Sequence, residues 1–472
     1  MNKILVVDLD ETLIFSNTLY ETFWMAFSKD YKIPFKSIAW LLSGKTKLKN
    51  NLCVSSDLNV ENLPYNIDVI NYIKQHRKEG GYTALVTASN QAIAEKIAKY
   101  LNLFDEVKGS SKELNLKGKS KAEFLKTRFG VKNYDYMGDS LDDLPVWKNA
   151  NKSITVNANP SIIKACEKIN SNCQHLKSKS SQSTFINYIK TIRVYQWIKN
   201  ILVFLPMIAA HQITTQNFIE SLLAFIAFSL IASSIYIIND LLDLNSDRGH
   251  NYKKLRPLAS GNVSIKNGLI IFSILLIIGI MLSLFIGFDF FLLMTFYLIL
   301  TSGYSLILKK KPIIDIFILG ILYTLRIFAG GIVTEIQISF WLYIFSIFLF
   351  LSLAAVKRQS ELISLNKKNL TITDRNYHIN DLFIVSQIAL SSGFVSVLVI
   401  GLYINSPDVL ILYSKPWTLG GICLVLLFWL MKIIFDSSRG LIKVDPIVYA
   451  LKENQSRLCL IAMTLLLLIN FI

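Results

Sequence analysis

From residue 217 to the end, eight apolar runs follow one another, near 217–238, 268–286, 290–308, 313–333, 340–356, 382–403, 416–435 and 457–472. Each approaches the roughly 20 residues that a helix needs to cross a bilayer. Inside hydrocarbon a segment must satisfy its own backbone polar groups, so runs of this kind are confined to helices. A shorter run at 197–210 reads as a first helix, which brings the expected number of spans to nine. A buried helical core in a soluble protein does not account for so many.

The loops between the runs orient them. With nine spans, the loops at 239–267, 309–312, 357–381 and 436–456 share one side and carry 5, 3, 5 and 3 Lys/Arg. The loops at 211–216, 287–289, 334–339 and 404–415 carry only Lys415. Basic loops stay on the cytoplasmic side, which predicts a multi-pass protein of the inner or cell membrane with its N-terminal domain in the cytoplasm. The formal net charge of +16 thereby divides into loop charges and an ordinary surface excess, and no nucleic-acid partner is needed to explain it. Five scattered cysteines without a CxxC pair suggest neither a zinc site nor a disulfide framework.

Residues 1–171 follow a different pattern. Candidate strands at Lys3–Asp8, Tyr82–Thr87, Tyr134–Gly138 and Ser153–Val156 are separated by helix-length segments. That alternation predicts βαβ units and a parallel sheet, so the N-terminal part is of the α/β class. The start of the chain reads as the first strand, its apolar run being too short for a signal peptide. Residues 172–184 are polar and Ser/Lys-rich, so 172–190 reads as a linker, leaving 191–472 as the all-α membrane domain.

The first strand ends in Asp8-Leu9-Asp10-Glu11-Thr12. Two carboxylates two residues apart, just past a parallel strand, point into the same crevice. One can attack phosphorus while the other gives a proton to the leaving oxygen. Thr87 and Ser89 end a later strand, Lys121 opens a helix, and Asp139 and Asp143 follow another strand. Carboxylates so grouped suit Mg²⁺.

This ordered set resembles the haloacid dehalogenase-like (HAD) phosphohydrolases. The resemblance implies a Rossmann-like sheet with a helical cap at about 14–80, which includes Trp24 and Trp40. It implies Asp8 as nucleophile, Asp10 as general acid/base, Thr87 and Lys121 as phosphate-binding, and one Mg²⁺ held by Asp8, Asp10, Asp139 and Asp143. Glu11 stands where many relatives have glycine.

The second long run leads into Asn239-Asp240, Asp243 and Asp247-Arg248, then His250, Lys253, Lys254 and Arg256. If the helix continues, positions 240, 243 and 247 share a face. Three carboxylates there repel one another unless a cation lies between them, and Mg²⁺ bridging a diphosphate is the economical choice. The basic residues that follow suit phosphate oxygens.

The NDxxDxxxD string resembles the UbiA superfamily of intramembrane prenyltransferases over about residues 190–472. The longer string, DRxH followed by KKxRPLASG, is similar to its decaprenyl-phosphate phosphoribosyltransferase branch. That branch uses phosphoribosyl diphosphate (PRPP) and a polyprenyl phosphate. Lys199, Tyr304, Lys309, Arg326, Lys357, Arg358 and Glu361 match further pieces of the pattern, while Asn251 replaces a common proline. The resemblance implies one or more Mg²⁺ at Asp240, Asp243 and Asp247, with Asn239 and the basic residues on the substrates. The loop at 357–381 offers Lys357, Arg358, Glu361, Asp374 and Arg375, mixed rather than acidic, which suits two phosphorylated substrates. Arg326, inside a span, faces a polar cavity or an anion, or pairs with another helix's carboxylate. The expectation is phosphoribosyl transfer from PRPP to a polyprenyl phosphate, with the HAD domain removing the 5-phosphate. The alternative is a prenyltransferase with a polyprenyl diphosphate donor, an aromatic acceptor and a HAD domain that only binds. Oligomeric state stays open.

Overall fold

A computed structural model describes all residues except 1–2, 112–113, 179–183, 251, 367–374, 408, 410–412, 443–444 and 470–472. Asn251 and Asp374 therefore lie outside the described residues. The chain forms two compact units, Met1–Ile192 with Tyr236–Phe272, and Arg193–Ile235 with Ser273–Ile472.

The first unit contains β1 (Ile4–Val7), then α1 (Thr18–Lys29), α2 (Ile33–Leu42) and α3 (Lys45–Ser56). After these come α4 (Ile67–Lys78), β2 (Tyr82–Asn90), α5 (Gln91–Leu101) and β3 (Glu106–Ser110). The remainder is α6 (Lys119–Phe129), β4 (Tyr134–Gly138), α7 (Leu144–Asn149), β5 (Ser153–Val156), α8 (Pro160–Ile169), β6 (Cys173–Leu176) and α9 (Thr184–Ile192). The strands pair in parallel, in the order β3-β2-β1-β4-β5-β6. Leu5 and Val7 face one apolar layer, with Leu85 and Met137, while Val6 faces another, with Ala84 and Tyr136. Both faces are covered, as a parallel sheet requires.

Three expectations shift. The sheet has six strands, because Glu106–Ser110 and Cys173–Leu176 are edge-side strands whose half-exposed residues carry little apolar signal. The stretch 172–190 thus contains a strand and most of a helix in addition to linker. The cap narrows to α1–α3, since Val69, Ile70 and Ile73 of α4 pack in the core with Leu5 and Val7. Trp24 is buried and Trp40 packs against Ala26, Ile33 and Leu52.

In the second unit a 3₁₀ helix at Val194–Phe204 leads to α10 (Leu205–Ala209). The long helices follow: α11 (Thr215–Leu242), whose last seven residues belong to the first unit, α12 (Leu244–Gly249) in the first unit, then α13 (Ile265–Ile286), whose first eight residues also belong to the first unit, and α14 (Phe288–Leu306). The series ends with α15 (Ile314–Val333), α16 (Phe340–Asn366), α17 (Leu382–Tyr403), α18 (Trp417–Ser438), α19 (Pro446–Lys452) and α20 (Asn454–Leu468). Among the described residues, seven helices are long and apolar enough to cross a membrane, not nine. The 197–210 run is broken at Leu205-Pro206, where 3₁₀ geometry gives way to a short α-turn, and the last apolar helix has 15 residues. The chain is a multi-pass membrane protein.

Candidate functional site

Parallel pairing sets Val7 level with Leu85 and Met137, so the residues just past β1, β2 and β4 emerge at one sheet edge. Asp8 stays in register through its N–H, which donates to the Met137 carbonyl at 3.0 Å. Its Oδ2 lies 2.8 Å from Lys121 Nζ, and its Oδ1 accepts from the Leu9 N–H at 2.8 Å. Lys121, almost fully buried, also donates to Tyr136 Oη at 2.9 Å, and that phenol donates to Asp143 Oδ1 at 2.8 Å. Asp143 Oδ2 in turn accepts from the Asp139 and Ser140 N–H groups, fixing the turn after β4. Thr12 Oγ1 donates to Asp139 Oδ1 at 3.2 Å.

Asp8, Asp139 and Asp143 each place a carboxylate oxygen within 4.8 Å of the others. Burial, with repulsion from Asp143, Asp8 and Glu11, pushes the Asp139 carboxyl up to about 9. Burial likewise pushes Asp8 up to about 6 against the pull of Lys121. For Lys121 burial opposes the charge, but Asp8 and Asp143 outweigh it and the ammonium titrates above its ordinary value. Hard oxygen donors crowded into mutual repulsion are a donor set that fits Mg²⁺.

Asp10 is placed differently from its neighbours. Its carboxylate accepts from the Thr18 N–H at 2.7 Å and from Ser89 Oγ at 2.5 Å, outside the three-carboxylate group. An acid held by a helix N-terminus and a hydroxyl is oriented for proton transfer rather than ligation. Thr87 is buried, its Oγ1 accepting from the Ser89 N–H at 3.1 Å. Thr18 escaped sequence reasoning because it lies inside the cap, although Asn17 before it is an N-cap and marks a helix start. Lys49 of α3 also escaped; it donates to the Ala88 carbonyl at 2.6 Å, and burial lowers its pKa while Asp10 pulls the other way.

The acidic segment does not continue as one helix. α11 ends at Leu242 and α12 starts at Leu244, yet the Asp243 N–H still donates to the Asn239 carbonyl at 3.0 Å and the Asp247 N–H to the Asp243 carbonyl at 2.8 Å. Arg256 lies between two of the three carboxylates, Nη1 at 3.0 Å from Asp240 Oδ1 and 2.5 Å from Asp247 Oδ2. Arg256 thus supplies positive charge between Asp240 and Asp247. Burial pushes Asp247 up to about 6 despite Arg256. Asn239 Oδ1 and Asp247 Oδ1 are buried with no hydrogen-bond partner among the described residues, and Lys253 Nζ is 4.0 Å from the latter. Two such oxygens fit a divalent cation.

Arg248, expected on phosphate, is committed elsewhere: its guanidinium forms a fork on Glu21 at 2.7 and 2.8 Å and donates to the Ala259 carbonyl at 2.8 Å. His250 is half-buried and its Nδ1 accepts from the Tyr252 N–H, whereas Lys254 is exposed.

In the second unit, Lys199 Nζ is 2.6 Å and Lys357 Nζ 3.4 Å from the same Asp445 oxygen, which also accepts from Tyr323 Oη at 3.2 Å. Asp445 was missed; the Asp-Pro pair marks a helix start but not its partners. Arg358 is buried on Asp315 at 2.6 Å and on Glu361, and it donates to Tyr304 Oη at 3.3 Å. Arg375 also reaches Tyr304, and Tyr377 donates to Asp315. Arg326 finds no carboxylate among the described residues: Nε donates to Asn200 Oδ1 at 2.8 Å, and the guanidinium lies over Phe228, Tyr297 and Tyr323. Lys309 is half-buried on the turn Leu308–Lys310.

Two family models match the chain: the UbiA prenyltransferase family over residues 201–432 and haloacid dehalogenase-like hydrolase over 56–148. An uncharacterized protein, y4nM of Sinorhizobium fredii, is 34% identical over 96% of this chain and 88% of its own. Nodulation protein NoeC of Azorhizobium caulinodans is 29% identical over 61% of this chain and 94% of its own. A decaprenyl-phosphate phosphoribosyltransferase of Corynebacterium glutamicum is 33% identical over 37% of this chain, and the match spans 54% of that enzyme. A solved UbiA homologue from Archaeoglobus fulgidus, bound to GPP and Mg²⁺, aligns over 60% of this chain and 98% of its own at 17% identity and a TM-score of 0.44.

Proposed function

We propose a reaction for a chain that belongs to the UbiA prenyltransferase family through its C-terminal region and carries a HAD-like domain ahead of it. The membrane domain transfers 5-phosphoribosyl from PRPP to a polyprenyl phosphate at the cytoplasmic face of the membrane. The HAD-like domain then removes the 5-phosphate of the lipid product.

The observation that carries this reading is the make-up of the second unit's polar groups. Lys199, Lys357, Arg358 and Arg375 share Asp445, Asp315 and Glu361, so the group is mixed rather than a second set of crowded carboxylates. Cations of this kind suit an acceptor that is already an anion. The likeness to the Corynebacterium glutamicum enzyme supports the same direction.

In the transfer, the lipid phosphate oxygen attacks ribose C1 and the bond from C1 to the diphosphate breaks. Lys253 and Lys254 of the first unit, and Lys199 and Lys357 of the second, are the basic side chains we assign to the phosphates of the two substrates. Asn239, Asp240, Asp243 and Asp247 would hold Mg²⁺, which would supply positive charge for the departing diphosphate. In the hydrolysis, Asp8 attacks the 5-phosphate as Lys121 and Thr87 bind its oxygens, and Asp10 protonates the leaving ribose O5. Asp10 then takes a proton from water, which attacks phosphorus and frees Asp8. Asp8, Asp139 and Asp143 would hold the Mg²⁺ of that site, which offsets phosphate charge.

The test supplies PRPP and polyprenyl phosphate to the full chain and to Asp8→Asn, and resolves the lipids by mass. The wild type is expected to give polyprenyl-phosphoryl-ribose and the variant to accumulate the 5-phosphate form. Identical products from both sink the coupling of the two reactions. Failure of labelled PRPP to enter lipid sinks the transfer.

A further inference from the structure

Glu21 and Arg248 form a buried ion pair between the two halves of the first unit's sequence, with side chains 2% and 6% exposed. Glu21 belongs to α1 of the cap, whereas Arg248 belongs to α12 in the acidic segment, 227 residues later. Both guanidinium Nη groups donate to the carboxylate, Nε is taken by the Ala259 carbonyl, and Ser16 Oγ donates to the same carboxylate. A two-pronged contact of this kind fixes direction as well as distance. Desolvating both charges is costly, and a hydrophobic pair would stabilise a fold as well, so stability alone does not explain it.

What surrounds the pair gives it a purpose. Arg248 directly follows Asp247, whose carboxylate is bound by Arg256 together with Asp240. Gly261, at φ +79°, closes the same segment so near Phe15 that a Cβ there would lie 2.6 Å from the Phe15 Cβ and 3.2 Å from the Pro64 Cβ. The acidic segment is therefore gripped at both ends by cap-side residues that no membrane helix supplies.

We propose that Glu21 is a positioning residue for the transfer reaction: through Arg248 it holds α12, and with it Asp243 and Asp247, in the geometry that receives the cation and diphosphate. A residue of the HAD-like half thus serves the chemistry of the membrane half. The inference rests on the phosphoribosyl transfer proposed above.

The experiment uses the full chain in nanodiscs, with Glu21→Ala, Glu21→Gln and Arg248→Lys. Initial rates give separate KM values for PRPP and polyprenyl phosphate. Mn²⁺ is titrated in parallel into each variant in an Asp8→Asn background, which removes a carboxylate from the other acidic cluster. Losing a group that orients a metal ligand costs about 10- to 100-fold. Glu21→Ala is accordingly expected to raise KM for PRPP and weaken Mn²⁺ by about tenfold or more while KM for the lipid phosphate is unchanged. Glu21→Gln, which keeps one acceptor, falls between. A purely structural role lowers the yield of folded protein and leaves both constants of the folded fraction as they are, and that result overturns the proposal. If the wild type does not use PRPP, the substrate reading fails while the Mn²⁺ titration still decides the role of Glu21.

Discussion

Glu11 holds a left-handed backbone at φ +56°, its N–H donating to the Ser16 carbonyl in the turn that carries Asp8 and Asp10. This conformation favours glycine, since a side chain there costs about 1–2 kcal/mol. The same carboxylate is one of the charges that raise Asp139. Burial and its acidic neighbours push the Asp139 carboxyl from the ordinary carboxylate range up to about 9 in the folded state, so its contribution is complete below about pH 4 and is lost as pH rises through 9. The metal-free protein is therefore expected to melt at progressively lower temperature from pH 5 to 9. Mg²⁺ should restore most at the alkaline end, and Glu11→Gly should flatten the slope. Thermal scans across pH with and without Mg²⁺ check this, and an Mg²⁺ effect independent of pH contradicts it. At this scale the sequence was a good guide to Asp8, Lys121, Asp139 and Asp143, which end strands or open helices at the crevice. It was a poor guide to Glu21, Thr18, Lys49 and Asp445, whose partners are set by packing between distant segments, or to Arg248, whose motif says phosphate and whose partner is Glu21.

Among elements, α15 approaches the 3₁₀ helix so closely that a Cβ on Gly330 would lie 1.9 Å from the Val203 carbonyl oxygen. Glycine is the residue that lets helix backbones meet in membranes. Around this contact Asn200 bonds Ser229 of α11 and receives Arg326 of α15, which locks three elements together. Gly330→Ala is expected to cost about 3 kcal/mol, read as a lower melting temperature of the purified protein, since backbone rather than a flexible side chain is in the way. A wild-type melting temperature in that variant rules the close contact out. The hydropathy pattern located the long helices well because each must bury its own backbone. It misjudged the ends, where Pro206 and the break at Asp243 follow from local geometry rather than from apolar content. The two added strands, Glu106–Ser110 and Cys173–Leu176, were missed because half-exposed edges do not alternate cleanly.

For the whole molecule, the two-part organisation was legible in charge and hydropathy, but the partition was not. The first unit takes Tyr236–Phe272 as well as Met1–Ile192. A fragment ending at residue 192 leaves Glu21 and Phe15 without Arg248 and Gly261. It is expected to unfold at lower denaturant than a single chain joining 1–192 to 236–272 through a flexible linker. Equal midpoints contradict the contribution of the second segment.

That discontinuous unit bears on how the protein is made. The ribosome must add about 80 further residues after Ile192 before Phe272 appears, on the order of 4–16 s at about 5–20 residues per second. Meanwhile α11 has to enter the bilayer, because it lies between the two stretches in the chain. The first unit therefore waits, unfinished on its Glu21 side, until the first long span has been inserted. Folding of the first unit is timed by insertion of α11, and a defect in inserting α11 would appear first as proteolysis of that unit.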